Sequence, residues 1–221
     1  MKLLFQGLTK FLAGLFFAGS LLFLPAGGFH YKNGWLFLAL LFIPILILGA
    51  VLYVKAPELL KKRLNSKEKQ QTQKTVVALS ALLFLGGFVV AGLDFRFGWS
   101  SVPTWVVIAS SVILLISYAL YAEVMRENAY LSRTIEVQEN QKVVDTGLYG
   151  IVRHPMYAAT IWLFLSIPIV LGSWWSLLCF LPYVAVIAIR IGNEEDVLSQ
   201  ELEGYKDYQK KVKYRLIPFI W

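Results

Sequence analysis

Two short polar clusters border apolar segments in the C-terminal half of this chain of 221 residues. The first cluster, residues 145–157, reads DTGLYGIVRHPMY, and its two glycines permit tight turns. Arg153 and His154 stand just before Pro155, a residue that suits the first turn of a helix. Because the free N–H groups and the dipole of a helix N-terminus attract anions, the cluster predicts an anion-binding turn. The alternative is an arginine–histidine pair that reaches lipid phosphate.

The second cluster, residues 190–195, reads RIGNEE at the end of an apolar run. Arg190 and Glu194 are four residues apart, so in a helix they share one face at about 6 Å. Ionisable groups at membrane depth are costly and usually face a cavity or one another, although an interfacial salt bridge is the alternative. The apolar run between the clusters is interpreted as a hairpin. We therefore expect 190–195 to lie beside 153–157 and to form one site.

The residue types in the two clusters limit the ligand that such a site would bind. An anion-ready turn, a pair of glutamates and several aromatic rings suit a zwitterionic molecule that also carries a cation and a ring. S-adenosylmethionine is one such molecule, but the residues alone do not single it out. No C-x-x-C motif or His/Cys cluster indicates a metal, and the lone Cys179 lies in an apolar run, as a core residue would.

The elements that position these clusters are predicted to lie in a membrane. Apolar residues make up 57% of the chain and charged residues only 16%, which excludes a disordered or fibrous protein. About 20 apolar residues cross a bilayer, and 8–24, 35–54, 76–93 and 104–122 meet or approach that length. Because Lys2 and Lys10 accompany the first segment, a signal peptide is its alternative.

The apolar run 157–189 is too long for one helix and is broken at 171–175. Its arms would be about 24 Å long, so the predicted hairpin barely spans or stops short. Pro168 and Pro182 are expected to bend the arms. The tail beyond it has apolar residues at helical spacing and predicts an amphipathic helix, with a possible break at Gly204, that lies on the bilayer or folds over the site. These apolar positions are Val197, Leu198, Leu202, Tyr205, Tyr208 and Val212.

The sequence predicts an all-α integral membrane protein with four transmembrane helices, a C-terminal hairpin and a cytoplasmic tail helix. The positions of its charged residues predict how the protein is oriented in the membrane. Of 21 Lys and Arg residues, all but Lys32 and Arg96 fall in four alternate segments, namely 1–10, 55–75, 123–156 and 190–221. The positive-inside rule therefore places both termini and the site in the cytoplasm. Basic residues between apolar blocks indicate anionic lipid as partner and not nucleic acid.

The chain is predicted to divide into transmembrane helices over 1–135 and a ligand-binding region over 136–221. This second region resembles the isoprenylcysteine carboxyl methyltransferase family and, more loosely, the membrane phospholipid N-methyltransferases. The matching motifs occur in one order without large gaps: GLY at 147–149, RHPMY at 153–157, LGSWW at 171–175, RIGNEE at 190–195, GYKDY at 204–208 and YRLIP at 214–218.

The resemblance implies S-adenosylmethionine as methyl donor and a lipophilic or prenylated acceptor that enters through a lipid-accessible tunnel. It assigns the cofactor to Gln141, Lys142, Val143, Val144, Tyr149, His154, Pro155, Met156, Tyr157 and Glu194. It assigns the acceptor to Arg190. Members of the family often carry His where this chain has Gln141, which still forms hydrogen bonds.

Three functions remain open from the sequence. A carboxylate acceptor would be held by Arg190 and needs no base, whereas an amine acceptor needs one, for which Glu195 is the candidate. A non-catalytic membrane anchor or binding protein is the third. The spacing Gly87-x-x-x-Ala91 allows helices to pack within or between chains, so the oligomeric state stays open.

Overall fold

The structure, a computed structural model, describes residues 2–64, 71–132, 135 and 137–221. Over these residues the chain forms nine α-helices, one 3₁₀ turn and no strand. The helices are α1 (Lys2–Ala26), α2 (Lys32–Lys55), α3 (Pro57–Leu64), α4 (Gln71–Phe97), α5 (Thr104–Glu127), α6 (Pro155–Val170), α7 (Trp174–Phe180), α8 (Tyr183–Glu201) and α9 (Tyr205–Lys211), with the 3₁₀ turn at Gly147–Gly150.

The four predicted spans are confirmed as α1, α2, α4 and α5, and a fifth segment is also long and apolar enough to cross a bilayer. The helices extend beyond the apolar runs because polar residues at their ends continue the same backbone hydrogen bonding. Large apolar side chains such as Phe16, Leu82 and Ile116 are exposed on the outer faces of the bundle, as contact with lipid requires. The chain is a multi-pass integral membrane protein.

The hairpin differs from its prediction in the returning arm. The outgoing helix, α6, has 16 residues and is as short as expected, about 24 Å. The returning arm, Trp174–Glu201, has 28 residues and is long enough to span, so the expectation of two short arms was wrong. The helix continues beyond Ile189 through polar residues that an apolar run does not count. Pro182, which cannot continue the backbone ladder, separates α7 from α8.

The bundle core lies where α6 packs along α5, α1 along α4, and α4 against α7 and α8. Leu22, Phe37, Leu114 and Phe180 are completely buried there. A Cβ atom added to Gly87 would overlap the Phe180 ring. The small residue at this position therefore serves packing within the chain, one of the two uses that its spacing allowed.

At one end of the bundle lie the loops after α1 and α4 and the tip of the hairpin, and this end carries few charged residues. Polar contacts hold these loops together. The Tyr31 hydroxyl donates a hydrogen bond to the Leu171 carbonyl at 2.6 Å, which ties the start of α2 to the hairpin tip. The buried Asp94 carboxylate accepts hydrogen bonds from the hydroxyls of Ser100 and Ser173. The hairpin tip is thereby fixed, and the charged segments gather at the opposite end of the helices.

Candidate active site

A polar pocket lies at the highly charged end, between the loop after α5, the 3₁₀ turn, the first turn of α6, the end of α8 and the tail. Its wall combines charged, aromatic and aliphatic side chains. These are Asn128, Tyr130, Leu131, Ser132, Ile135, Gln141, Lys142, Val143, Val144, Tyr149, Arg153, His154, Met156, Tyr157, Arg190, Glu194, Leu198, Leu202, Tyr205 and Tyr208.

Local sequence explains how the 3₁₀ turn presents Tyr149 to the pocket. Gly147 has a φ of +54°, which L side chains rarely adopt, and a Cβ there would overlap the Glu127 carboxylate. Glu127, the last residue of α5, accepts the Leu148 N–H at 3.0 Å. The Tyr149 hydroxyl accepts a hydrogen bond from the Asn128 amide at 3.0 Å. Burial raises the pKa of this hydroxyl above its ordinary range, so Tyr149 stays neutral.

Tyr157 lies between Arg190 and Glu194 and joins the two predicted clusters. The Arg190 guanidinium donates from Nε to the Tyr157 hydroxyl at 2.8 Å. The same hydroxyl donates to Glu194 Oε2 at 2.5 Å. The expectation that 190–195 lies beside 153–157 is thus confirmed, because α6 leaves the charged end and α8 returns to it.

Glu195 takes no part in the contacts among Arg190, Tyr157 and Glu194, and three basic side chains lie against its carboxylate. Its carboxylate accepts hydrogen bonds from Arg153 Nε at 2.6 Å and from Arg215 Nε at 2.8 Å. The His154 ring nitrogen Nε2 lies 3.1 Å from the same carboxylate, whose side chain is only 5% exposed. Arg153 also donates to the carbonyls of Val212 and Lys213, both at 2.8 Å.

These contacts argue against two of the expectations drawn from the sequence. Glu195 was the candidate base for an amine acceptor, but it does not line the pocket, and three basic side chains already contact its carboxylate. Arg153 was predicted to bind an anion or reach lipid phosphate. Its guanidinium is instead buried against Glu195 and the tail carbonyls, so its charge is already compensated inside the protein.

The tail folds over the pocket, the second of the two positions that its amphipathic pattern allowed. The predicted break at Gly204 is confirmed, since its φ of +81° ends one helical segment and begins α9. The apolar side chains of the tail, among them Tyr205 and Tyr208, pack against Val143. The Tyr208 hydroxyl donates to the Tyr149 carbonyl at 2.8 Å, closing the tail onto the 3₁₀ turn.

An ion pair adds to this closure at the protein surface. Lys211 Nζ lies 2.6 Å from Asp145 Oδ2, and this contact lowers the pKa of the aspartate below its ordinary value. Both side chains are well exposed, so solvent screens the pair and its energetic contribution is small.

A groove adjoins the pocket and extends between α4, α6 and α8. Aliphatic and aromatic side chains form most of it, while two arginines lie at its polar end: its lining is Arg63, Val76, Val77, Ser80, Ala81, Phe84, Tyr121, Ser132, Met156, Tyr157, Thr160, Phe164, Tyr183, Ile187 and Arg190. Tyr157 and Arg190 line both spaces. Arg63 of α3 hydrogen-bonds the Tyr121 hydroxyl and the Ser132 carbonyl.

The pocket wall contains nine of the ten residues that the resemblance assigned to the cofactor, and Pro155 is the exception. Pro155 is buried as the first residue of α6, where it sets the helix start. The sequence interpretation missed Arg63 and the pocket residues Asn128, Tyr130, Leu131, Ser132 and Ile135. The basic residues Lys61, Lys62 and Arg63 in the short amphipathic α3 were a signal, but they were attributed to membrane orientation and anionic lipid. The described residues include no group of three or more His, Cys, Asp or Glu side chains that could hold a metal ion.

Fold and site together define a multi-pass membrane protein in which a polar pocket meets an apolar groove. The model of the phospholipid methyltransferase family matches residues 104–203, from the start of α5 to the end of α8. No curated protein matches the chain in sequence. A solved structure of the eukaryotic intramembrane Ras methyltransferase, an isoprenylcysteine carboxyl methyltransferase, is 19% identical over 85% of this chain and 74% of its own, with a TM-score of 0.48.

The family match confirms the resemblance to membrane methyltransferases that the motifs predicted. The matched segment carries the 3₁₀ turn, both arms of the hairpin, and all three of Tyr157, Arg190 and Glu194. The family match therefore supports the assignment of this protein as a membrane methyltransferase.

Proposed function

We propose that the protein is an S-adenosylmethionine-dependent methyltransferase whose acceptor is a lipid-embedded carboxylate, of the kind that an isoprenylcysteine carries. The observation that carries the proposal is the meeting of pocket and groove at Tyr157 and Arg190. A water-soluble donor and a lipid-borne acceptor have to meet at one point. These two residues lie where a ligand from each side would reach the other.

The residues of the pocket fit the donor. Glu194 can accept hydrogen bonds from an ammonium or a ribose, and Lys142 can face a carboxylate. The tyrosine rings offer faces for an adenine and for a positively charged centre. When bound, S-adenosylmethionine supplies an electrophilic methyl group, and its transfer to a carboxylate oxygen forms the ester, breaks the sulfonium S–C bond and leaves S-adenosylhomocysteine with no proton to move.

The protein's own contribution is to position the acceptor and exclude water. Arg190 can hold an acceptor carboxylate through two parallel hydrogen bonds, and Tyr157 fixes the guanidinium by accepting from its Nε. Holding two reactants in the productive geometry can supply roughly 7–11 kcal/mol of the barrier. Because an ionised carboxylate needs no base, the reaction does not require Glu195 to accept a proton.

A phospholipid or amine N-methyltransferase is the second candidate, favoured by the description of the matched family. An ammonium would face Arg63 and Arg190 at the polar end of the groove, which disfavours it there. The two candidates differ in their product, since a methyl ester releases methanol in alkali and a methylated amine does not.

Donor binding is the first test, by calorimetry on the purified protein in detergent and in lipid nanodiscs. We expect a dissociation constant in the micromolar range for S-adenosylmethionine, and an absence of heat in both media would overturn both candidates. Transfer of a labelled methyl group to membrane extract, followed by alkaline release of volatile label, then separates ester from amine products.

We further propose that the pocket faces the cytoplasm, because it lies at the end that carries nearly all basic residues. Single cysteines introduced as Lys61→Cys and Lys32→Cys into a Cys179→Ser background report the two ends. In intact cells a membrane-impermeant maleimide should label position 32 and spare position 61. The reverse pattern would invert the orientation.

A further inference from the structure

The Tyr205 hydroxyl is buried in the wall of the pocket without a partner. The residue is 4% exposed, and its side chain lines the pocket from α9. Within the part of the chain that the structure describes, Tyr205 Oη is the buried side-chain oxygen or nitrogen that lacks a hydrogen-bond partner. Leaving a buried hydroxyl unpaired is costly, so such an atom at a ligand pocket indicates a bond that the ligand completes.

The neighbouring tyrosine provides the contrast. Tyr208 is three residues further along α9, and its hydroxyl donates to the Tyr149 carbonyl at 2.8 Å. The two rings lie 5.7 Å apart and belong to the same apolar cluster under the tail. Packing alone therefore accounts for both rings, and the hydroxyl of Tyr208 has a structural use, whereas that of Tyr205 has none in the tail itself.

The surroundings of Tyr205 decide which kind of group it binds. Burial first, and then the negative charges of Glu195 and Glu194, raise the pKa of this hydroxyl well above its ordinary range. The group is a neutral phenol, and its O–H can donate one hydrogen bond. Glu194 lines the same pocket, so a ligand carboxylate beside Tyr205 would be repelled, and a neutral acceptor such as a hydroxyl oxygen or a ring nitrogen is favoured.

We propose that the Tyr205 hydroxyl is a direct contact for the nucleoside part of the methyl donor, donating to a ribose oxygen or an adenine nitrogen. The aliphatic and aromatic wall around it, which includes Val143, Leu198 and Leu202, suits a purine and a sugar better than the charged amino-acid end. The inference rests on the proposed function, and it makes α9 part of the binding site.

Tyr205→Phe removes only the hydroxyl and provides the test. We expect the affinity for S-adenosylhomocysteine to fall by about three- to tenfold, the effect of one neutral hydrogen bond. The melting temperature of the ligand-free protein should stay the same or rise, because an unpaired buried hydroxyl is gone. In Tyr208→Phe, by contrast, a satisfied bond is lost and the melting temperature should fall.

5′-Methylthioadenosine, which has the nucleoside without the amino-acid end, locates the contact. Tyr205→Phe should lower the affinity for this probe by the same factor as the affinity for S-adenosylhomocysteine. Equal affinities of wild type and variant for both probes would overturn the proposal, and a loss confined to S-adenosylhomocysteine would overturn its assignment to the nucleoside. If the wild type binds neither probe nor the donor, the proposed function itself has failed.

Discussion

Arg153 and Glu195 form a buried ion pair of 2.6 Å between residues 42 positions apart in the sequence. The arginine precedes α6 and the glutamate stands near the end of α8, so the pair closes the open end of the hairpin. Arg215 binds the other carboxylate oxygen and adds the tail to the same point. One carboxylate thus holds three segments that all border the pocket.

Removing this carboxylate should destabilise the protein strongly. Glu195→Gln leaves Arg153 and Arg215 buried or half-buried without their counter-charge, a loss of about 3–5 kcal/mol in measured cases of this kind. Denaturant unfolding in detergent micelles, followed by near-UV circular dichroism, measures the change. Asp196→Asn is the matched control, since it removes one negative charge from an exposed position of the same helix turn. Equal midpoints for the two variants would contradict the role given to Glu195.

Glu194 and Arg190 should separate donor binding from turnover. Glu194→Ala is expected to lower donor affinity at least about tenfold, because hydrogen bonds to charged groups contribute about 1.5–3 kcal/mol. Arg190→Ala is expected to keep donor affinity within about threefold and to lose most turnover, because positioning of the acceptor is lost. Calorimetry and labelled-methyl transfer measure the two quantities. If both variants retain full activity, the assignment of these residues is wrong.

Arg63 should contribute to the acceptor end of the site. Arg63→Gln removes one of the two positive charges at the polar end of the groove, so we expect a higher KM for the carboxylate probe N-acetyl-S-farnesyl-cysteine. Donor affinity should not change. Lys61→Gln, on the same helix but 71% exposed and facing Glu58, is the control for charge alone. A KM that rises equally in both variants would indicate a general charge effect and not a contact at the groove.

Gly147 should tolerate no side chain. Gly147→Ala forces an L residue into a left-handed conformation, at a cost of roughly 1–2 kcal/mol, and its Cβ meets the Glu127 carboxylate. We expect a lower melting temperature and weaker donor binding, because Tyr149 is two residues away. Gly192→Ala is the control, since a Cβ at that helical glycine meets nothing within 4 Å. This control should melt at the same or a higher temperature.

Stability should fall in alkali as buried tyrosines ionise. Burial raises the pKa of Tyr149, Tyr205 and Tyr208 above the ordinary value of 10.0, so the neutral phenols favour the folded state. This contribution is complete below pH 10 and is lost as the pH rises above it, since only the unfolded chain then releases its protons. Melting temperatures between pH 8 and pH 11 should show the decline, and Tyr205→Phe should make it shallower. An unchanged slope in that variant would contradict the burial of this hydroxyl.

The sequence was most informative where chemistry and periodicity coincide. Four apolar runs predicted α1, α2, α4 and α5, since a bilayer imposes one length on any helix that crosses it. The closeness of Tyr157 to Arg190 followed from the hairpin alone. The returning arm was underestimated, because a helix continues through polar residues wherever its backbone bonds are satisfied, and hydropathy does not register them.

The sequence could not predict the roles that depend on the direction in which a side chain points. Glu194 and Glu195 are adjacent and chemically alike, yet only Glu194 lines the pocket, whereas Glu195 contacts Arg153, His154 and Arg215. Their separation depends on the rotation of α8 about its axis, which packing against α4 and α6 sets. Arg63 contacts residues more than fifty positions away, and no local pattern encodes such a contact.

The matched family segment ends at residue 203, immediately before Gly204. Both tyrosines of α9, which line the pocket, follow that point. A homologue recognised by the shared segment alone can therefore carry a different cover over the same floor. If the proposed function holds, exchange of residues 204–221 for the tail of such a homologue is expected to change the affinity for the donor while Tyr157 and Arg190 stay in place.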